Sequence, residues 1–326
     1  MSNVRRIQER HRARPRNAGK AGPKVDPWRD DYWTLSRLPL HAVVFLIPLI
    51  VLYELGSVYY LRDPAAGLTT QIRAESLLNL FFESFGVLGA MVPGISLAVV
   101  LLVLHMIRRD RWAVRPMVVT GMYLESAVWV LPLIVLAAVV TDAAARVHAG
   151  APGGSELTDA LAAQTGGAGD GLRSMSLPAR ATVAVGAGVY EELLFRLILI
   201  AGLDALLGLV VQSRATRTVA CVVLTSLAFA AYHDASFRPD AMTGGSGFFS
   251  VVHTLMHDGP AAALARVYWG RAVFFFVAGV YFSCIYMARG FGVVVGTHAA
   301  YDLAGLVLFA GRGCPSPSAL DHSTTR

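Results

Sequence analysis

The sequence predicts an all-α, polytopic transmembrane helical bundle of about seven to eight spans, because apolar runs near the ~20 residues that cross a ~30 Å hydrocarbon layer recur along it. Two further observations support this. The 326 residues are 55% hydrophobic and only 15% charged, where a soluble domain carries about a quarter charged residues. Ionisable side chains also lie within some of the apolar runs, which a membrane bundle tolerates only in its interior. The length would hold two soluble domains, but the composition fits one bundle in lipid better. The three cysteines, Cys221, Cys284 and Cys314, show no CxxC spacing. A disulfide framework or cysteine-zinc site is therefore not indicated.

Residues 1–37 form a basic tail, with ten Lys/Arg against four acids. It lacks periodicity and interleaved aromatics, so its placement beside a span argues for anionic lipid as its partner and not nucleic acid. The basic stretch is too long for a cleavable signal peptide. Three spans follow in 38–140, near 38–61, 86–107 and 117–140. Residues 141–180 are rich in Gly and Ala and read as a flexible loop, with a short helix at 156–164. The core at 181–311 holds spans near 181–203, 218–236, 271–289 and 291–311, and a tail follows at 312–326. Pro48, Pro93 and Pro132 fall inside spans, which membrane helices accept. The segment 237–270 is too polar and broken to span and reads as interfacial or re-entrant.

Basic flanks set the orientation. The N-terminal tail and Arg108, Arg109, Arg111 and Arg115 are dense in charge, whereas the loop after the first span has only Arg62 and Arg73. This pattern places the N-terminus in the cytoplasm. Seven spans then put the C-terminus outside; one further or re-entrant segment reverses that. Only Lys20 and Lys24 are lysines among 28 basic residues. That bias suggests a GC-rich bacterial gene, and hence an inner-membrane protein.

The fourth span, ATVAVGAGVYEELLFRLILIAGL, holds Glu191, Glu192 and Arg196 in its middle. Three central charges cost roughly 8–10 kcal/mol of insertion, while its Val, Leu, Ile and Phe return about 3–7. The helix must be stabilised by pairing inside the bundle. Glu192 and Arg196 share a face by i,i+4 spacing and can pair, whereas Glu191 lies about 100° away without a local partner. The fifth span ends in TSLAFAAYHD with His233, and the last reads VVVGTHAAYDLAGLVLF with His298 and Asp302 four apart. Each group alone has a purely structural explanation: a bundle lock, an interfacial histidine, a His–Asp hydrogen bond. Their convergence on three spans favours a site. His253 and His257 are also i,i+4, but Thr254 stands where an HExxH motif needs Glu, and surface histidines near headgroups explain them.

Glu191-Glu192-x-x-x-Arg196, Phe229-x-x-x-His233 and His298-x-x-x-Asp302 together resemble the EExxxR, FxxxH and HxxxN/D motifs of the CPBP family. These are the type II CAAX-prenyl endopeptidases and their bacterial relatives, also called Abi. The stretch FFFVAGVYFSCIYMARGFGVVVGTHAAYD is similar to the family's penultimate helix, turn and final motif. The resemblance covers about residues 181–310. It implies a membrane endopeptidase acting near the C-terminal end of peptides or lipidated proteins. Glu191 would then be the general base for water, positioned with help from His233; Glu192 and Arg196 would be the supporting pair. His298 and Asp302 would face the developing oxyanion. Many members carry Asn where this chain has Asp302, and an ionised carboxylate cannot donate to an oxyanion. Asp302 is therefore protonated, or orients His298, or ligates a metal. A divalent metal such as zinc is the cofactor alternative, with Glu191, His233, His298 and Asp302 as candidate ligands; the metal-free water mechanism needs none.

Two other functions compete. One is a non-catalytic scaffold or bacteriocin-immunity type of protein, because a fold does not dictate activity. The other is a proton-coupled transporter, since buried Glu, His and Asp also build proton relays; it would more often show paired half-repeats. Reporter fusions test the topology. Residue 20 and the 108–116 loop should report from the cytoplasm, and residue 160 from the opposite side. Signals from the same side at 20 and 160 would break the three-span count.

Overall fold

The computed structural model describes residues 31–63, 68–69, 73–84, 86, 91–147, 175–233 and 269–305. Residues 1–30 of the basic tail, the expected helix at 156–164, His253, His257 and the tail at 312–326 lie outside the described residues. The elements in order are α1 (Tyr32–Leu35), α2 (Pro39–Tyr60), β1 (Arg62–Asp63), β2 (Leu68–Thr69), α3 (Arg73–Glu83), α4 (Val92–Arg108) and α5 (Pro116–Val147). Then come α6 (Leu177–Glu192), a π-helical segment (Leu193–Leu199), α7 (Ile200–Leu207), α8 (Arg214–His233), α9 (Trp269–Arg289) and α10 (Phe291–Leu303). The described residues are helical apart from one short antiparallel pair, with Arg62 opposite Thr69 and Asp63 opposite Leu68.

Among the described residues, four helices are long and apolar enough to cross a membrane: Pro39–Tyr60, Pro116–Val140, Arg214–His233 and Ala272–Arg289. They correspond to the first, third, fifth and sixth expected spans. The second is shorter than expected, because α4 begins at Val92 and not near residue 86. Pro93 explains this: it lacks an amide hydrogen and clashes with a preceding turn, so it sits in the first turn of a helix and not within it. Pro48 and Pro132 do lie inside α2 and α5. The fourth span is longer than expected, running helically from Leu177 through the π segment to Leu207. The Ser176 hydroxyl opens it by accepting from Ala179 N at 3.4 Å. Helix α8 starts before residue 218 because Ser213 Oγ accepts from Thr216 N at 3.3 Å, a serine cap one residue ahead of Arg214. Helix α5 continues past Val140 through the Ala143–Ala145 run to Val147, since alanine is the best helix former.

The faces of α5 show how the bundle meets its surroundings. Met122, Ser126, Val130, Leu133 and Ala137 are buried, while Leu124, Val128, Leu131, Val135 and Val139 are each 60% or more exposed. Both sets repeat every three or four residues; the exposed one is wholly apolar, and the buried one is apolar but for Ser126, whose hydroxyl donates to the Val293 carbonyl of α10 at 3.2 Å. Such an exposed stripe is rare on a soluble monomer and natural against lipid.

Helix α10 packs against α6, α5, α2 and α9; α8 packs on α9, and α2 on α6 and α4. This makes α10 the central rod, with Val293, Val294 and Val295 fully buried. Gly290 makes the approach possible. It has φ +87° between α9 and α10, a backbone state that side chains disfavour. Small residues then let the helices touch. A Cβ on Gly188 of α6 would come 2.5 Å from Ala299 N on α10, the close crossing expected where membrane helices pack through glycine. Gly188→Ala should therefore lower the thermal midpoint in detergent, costing about 1–3 kcal/mol. Gly202→Ala, whose added Cβ meets nothing within 4 Å, should not. Equal melting of the two variants would dismiss the close-crossing account.

Candidate active site

Glu191 and Glu192 are the last two residues of α6, and the backbone then widens into the π segment that carries Arg196. Single π turns inside helices cluster at functional sites. Despite the widened turn, Arg196 Nη1 stays 3.0 Å from Glu192 Oε1, and both side chains are essentially inaccessible. Arg196 also donates to the Gly279 carbonyl of α9 at 3.3 Å. Its guanidinium lies over the rings of Phe229 at 4.5 Å and Phe282 at 5.2 Å, which supplies cation–π attraction away from water.

The same Glu192 oxygen accepts from His298 Nδ1 at 2.7 Å. That contact assigns the Nδ1 proton and points Nε2 the other way, where it lies 3.8 Å from Glu191 Oε2 and 3.5 Å from Asp302 Oδ2. The ring is stacked on Phe282 at 4.6 Å. His233 approaches from α8. Its Nδ1 donates to the Phe229 carbonyl one turn earlier, at 2.9 Å, because a carbonyl can only accept. Nε2 is thereby turned to Glu191 Oε2, 3.1 Å away. Phe275 stacks on that ring at 4.2 Å.

Glu191 has two distinct oxygens. Oε1 is held by the Tyr232 hydroxyl at 3.4 Å. Oε2 lies within ion-pair distance of both imidazoles, yet no donor is aligned on it for a hydrogen bond among the described residues. It is a buried carboxylate oxygen with an imidazole nitrogen of each histidine beside it. Asp302 closes the group, 9% exposed on the α10 turn after His298.

All six residues singled out from the sequence are thus buried and in one place. Glu191, His233, His298 and Asp302 present atoms to one another, and Glu192 with Arg196 lies behind them. Among the described residues, no group of three or more His, Cys, Asp or Glu side chains is arranged to hold a metal ion. Phe229 belongs to the second motif, but sequence reasoning gave no role to Tyr232, the Gly279 carbonyl or the Phe275 and Phe282 rings. Tyr232 is adjacent to His233 and could have been found; Phe275, Phe282 and Gly279 lie in the penultimate helix, where only the resemblance of the whole stretch, and no single charged or polar residue, marks them.

The Arg196 environment makes a separate prediction. Arg196→Ala leaves the Glu192 charge in an apolar interior, a loss of about 3–5 kcal/mol for a broken buried pair. Membrane fractions should contain much less of this variant, and adding Glu192→Gln should restore part of the amount. Wild-type accumulation of Arg196→Ala would show that the carboxylate is compensated otherwise.

Residues 173–304 match the model of the Rce1-like family, described as Type II CAAX prenyl endopeptidase Rce1-like. No curated protein and no solved structure matches the chain. The matched interval begins just ahead of α6 and ends at the close of α10, so it contains every residue of the buried group and leaves α1–α5 outside it. The family resemblance carried by the three motifs is borne out: residues 173–304 of this integral membrane protein are Rce1-like, similar to the type II CAAX prenyl endopeptidases.

Proposed function

We propose that this protein is an intramembrane endopeptidase that hydrolyses a peptide bond with a water activated by Glu191. The observation that carries the proposal is the arrangement around Glu191 Oε2: a buried carboxylate oxygen with His233 Nε2 at 3.1 Å and His298 Nε2 at 3.8 Å. One water can touch Oε2 and His233 Nε2 together. It would give one hydrogen to each, and its lone pair would face the substrate carbonyl.

In the reaction, Glu191 takes a proton from that water as the oxygen bonds to the carbonyl carbon. The carbonyl oxygen becomes an oxyanion. His298, with both ring nitrogens protonated, donates from Nδ1 to Glu192 and from Nε2 to that oxyanion. The C–N bond breaks, and the proton held on Glu191 passes to the departing amine. The products are a carboxylic acid and an amine, and Glu191 returns to its starting form. Glu192, pinned by Arg196, keeps the His298 ring in orientation throughout. Asp302 supports Nε2 of His298, or donates when protonated.

The substrate class is a peptide or lipidated protein reached within the bilayer. The family match supports a peptide hydrolase; the cleavage chemistry is our reading of the geometry. The same reading counts α4, the α6–α7 run and α10 as spans beside the four long helices. It puts the N-terminus in the cytoplasm of a bacterial inner membrane, with its basic tail on anionic lipid.

Glu191→Gln keeps the shape and removes the base, so cleavage should fall by about 10²–10⁴-fold while the amount in the membrane and the melting temperature stay near wild type. Full activity in a normally accumulating Glu191→Gln would leave the scaffold reading in place of the peptidase. Asp302→Asn separates the remaining roles. If Asp302 only donates a proton, the amide replaces it and activity survives. If it serves as a carboxylate ligand to a metal, the variant loses activity, and wild-type enzyme dialysed against a zinc chelator loses activity that zinc restores.

A further inference from the structure

A cavity lies away from the buried glutamates. It has a volume of about 540 Å³ and is walled by the chain before α2, the end of α4, the π segment with α7, the start of α8 and the α9–α10 corner. None of the six site side chains lines it. Four arginines do: Arg37, Arg108, Arg214 and Arg217, against the single carboxylate of Asp204.

That carboxylate is already used, since Arg217 Nε binds Asp204 Oδ1 at 2.5 Å. Arg37 gives one nitrogen to the Met287 carbonyl at 3.1 Å, which leaves its charge unbalanced. Arg108 and Arg214 have no carboxylate within ion-pair distance among the described residues. Three chain segments thus deliver four guanidinium groups to one concave space, with one negative charge among them. Arginine binds phosphate through paired parallel hydrogen bonds, which makes it the side chain suited to such an anion.

The deeper wall is apolar, with Leu101, Leu197 and Ile200. Beside Asp204, the end of α7 and the turn after it expose Leu206, Leu209 and Val210 at 62%, 76% and 76%. That combination belongs at the boundary between acyl chains and headgroups, where apolar side chains meet lipid and arginines meet phosphate. The crowding of arginine marks this as the end that faces the cytoplasm.

We propose that this cavity is a phosphate-binding site, filled by the headgroup phosphate of an anionic phospholipid or by a soluble phosphate ester. The site is distinct from the Glu191 centre, and the proposal is independent of the peptidase reading.

The test uses purified full-length protein in neutral detergent, with retained lipid counted by native mass spectrometry. Phosphatidylglycerol should be retained in preference to phosphatidylcholine, with the preference falling about five-fold for each arginine removed. Arg108→Gln/Arg214→Gln should therefore lose it. Both side chains are exposed, so no buried charge is stranded and the fold should persist. Arg109→Gln/Arg111→Gln, changed at positions off the cavity wall, should keep it. Ala201→Trp fills the space without altering charge and should also abolish binding.

Inorganic phosphate identifies the source. Displacement of phosphatidylglycerol by low-millimolar phosphate, with a raised melting temperature in phosphate alone, assigns the cavity to a soluble phosphate ester. Retention of the lipid under those conditions assigns it to a phospholipid. The proposal is overturned if wild type shows neither a phosphatidylglycerol preference nor any effect of phosphate. It is also overturned if Arg108→Gln/Arg214→Gln and Ala201→Trp both bind as wild type does.

Discussion

One carboxylate oxygen, Glu192 Oε1, holds the candidate site together. It accepts from His298 Nδ1 at 2.7 Å and neutralises Arg196 Nη1 at 3.0 Å, so α10 is tied to the α6 and π segments through a single atom. An ionised group in a lipid-embedded interior must be compensated by a partner, because the surrounding medium does little to stabilise it. That requirement fixes the rest. With His298 Nδ1 committed, its Nε2 can only face Glu191 and Asp302; with Arg196 committed, Phe229 and Phe282 must close around it. Across the π segment Arg196 still reaches both Glu192 and the Gly279 carbonyl.

A second buried ion pair does a similar job elsewhere in the bundle. Arg289, at the end of α9, reaches Glu125 of α5 at 2.5 and 2.9 Å, and Glu125 also accepts from Tyr32 of α1 at 2.5 Å. The arginine lies 4.1 Å over Trp33. Because Glu125 takes the Tyr32 proton donor and its charge is close by, the Tyr32 hydroxyl is pushed well above the ordinary phenol range, with burial the leading cause. This lock ties α1 to the corner from which α10 starts. Polar anchors thus lie on either side of Gly290, Arg289 on Glu125 before it and His298 on Glu192 after it.

The glycines set the distance at which those anchors work. The α6–α10 crossing at Gly188 and Ala299 lies next to both Glu191 and His298, so any widening there separates the atoms that must meet. Gly296 adds to this, as a Cβ on it would come 2.5 Å from Ser126 Oγ. Close packing and charge pairing are one constraint in this fold: an ion pair between helices exists only where the backbones are close enough to make it.

The sequence by itself determined the residues of the buried group, because charge inside an apolar run is conspicuous and i,i+4 spacing reveals which charges share a face. It also determined that helices would carry the chain, since apolar length leaves no other way to satisfy the backbone in lipid. Only the tertiary structure decided which oxygen of Glu191 faces the two imidazoles, that His298 turns its Nδ1 to Glu192, and that Phe275, Phe282 and Gly279 complete the walls. These depend on contacts between helices far apart in sequence. The faces of α5 were only partly legible: Glu125 and Ser126 mark the inward side, but the apolar residues above and below them carry no pattern to say which meet lipid and which meet the bundle. Pro93, placed within a span by its apolar surroundings, sits instead in the first turn of α4, a start that its missing amide hydrogen could have signalled. The π segment was not legible, because nothing in the run Leu193–Leu199 distinguishes a widened turn from an α-helical one before the folded bundle fixes its contacts.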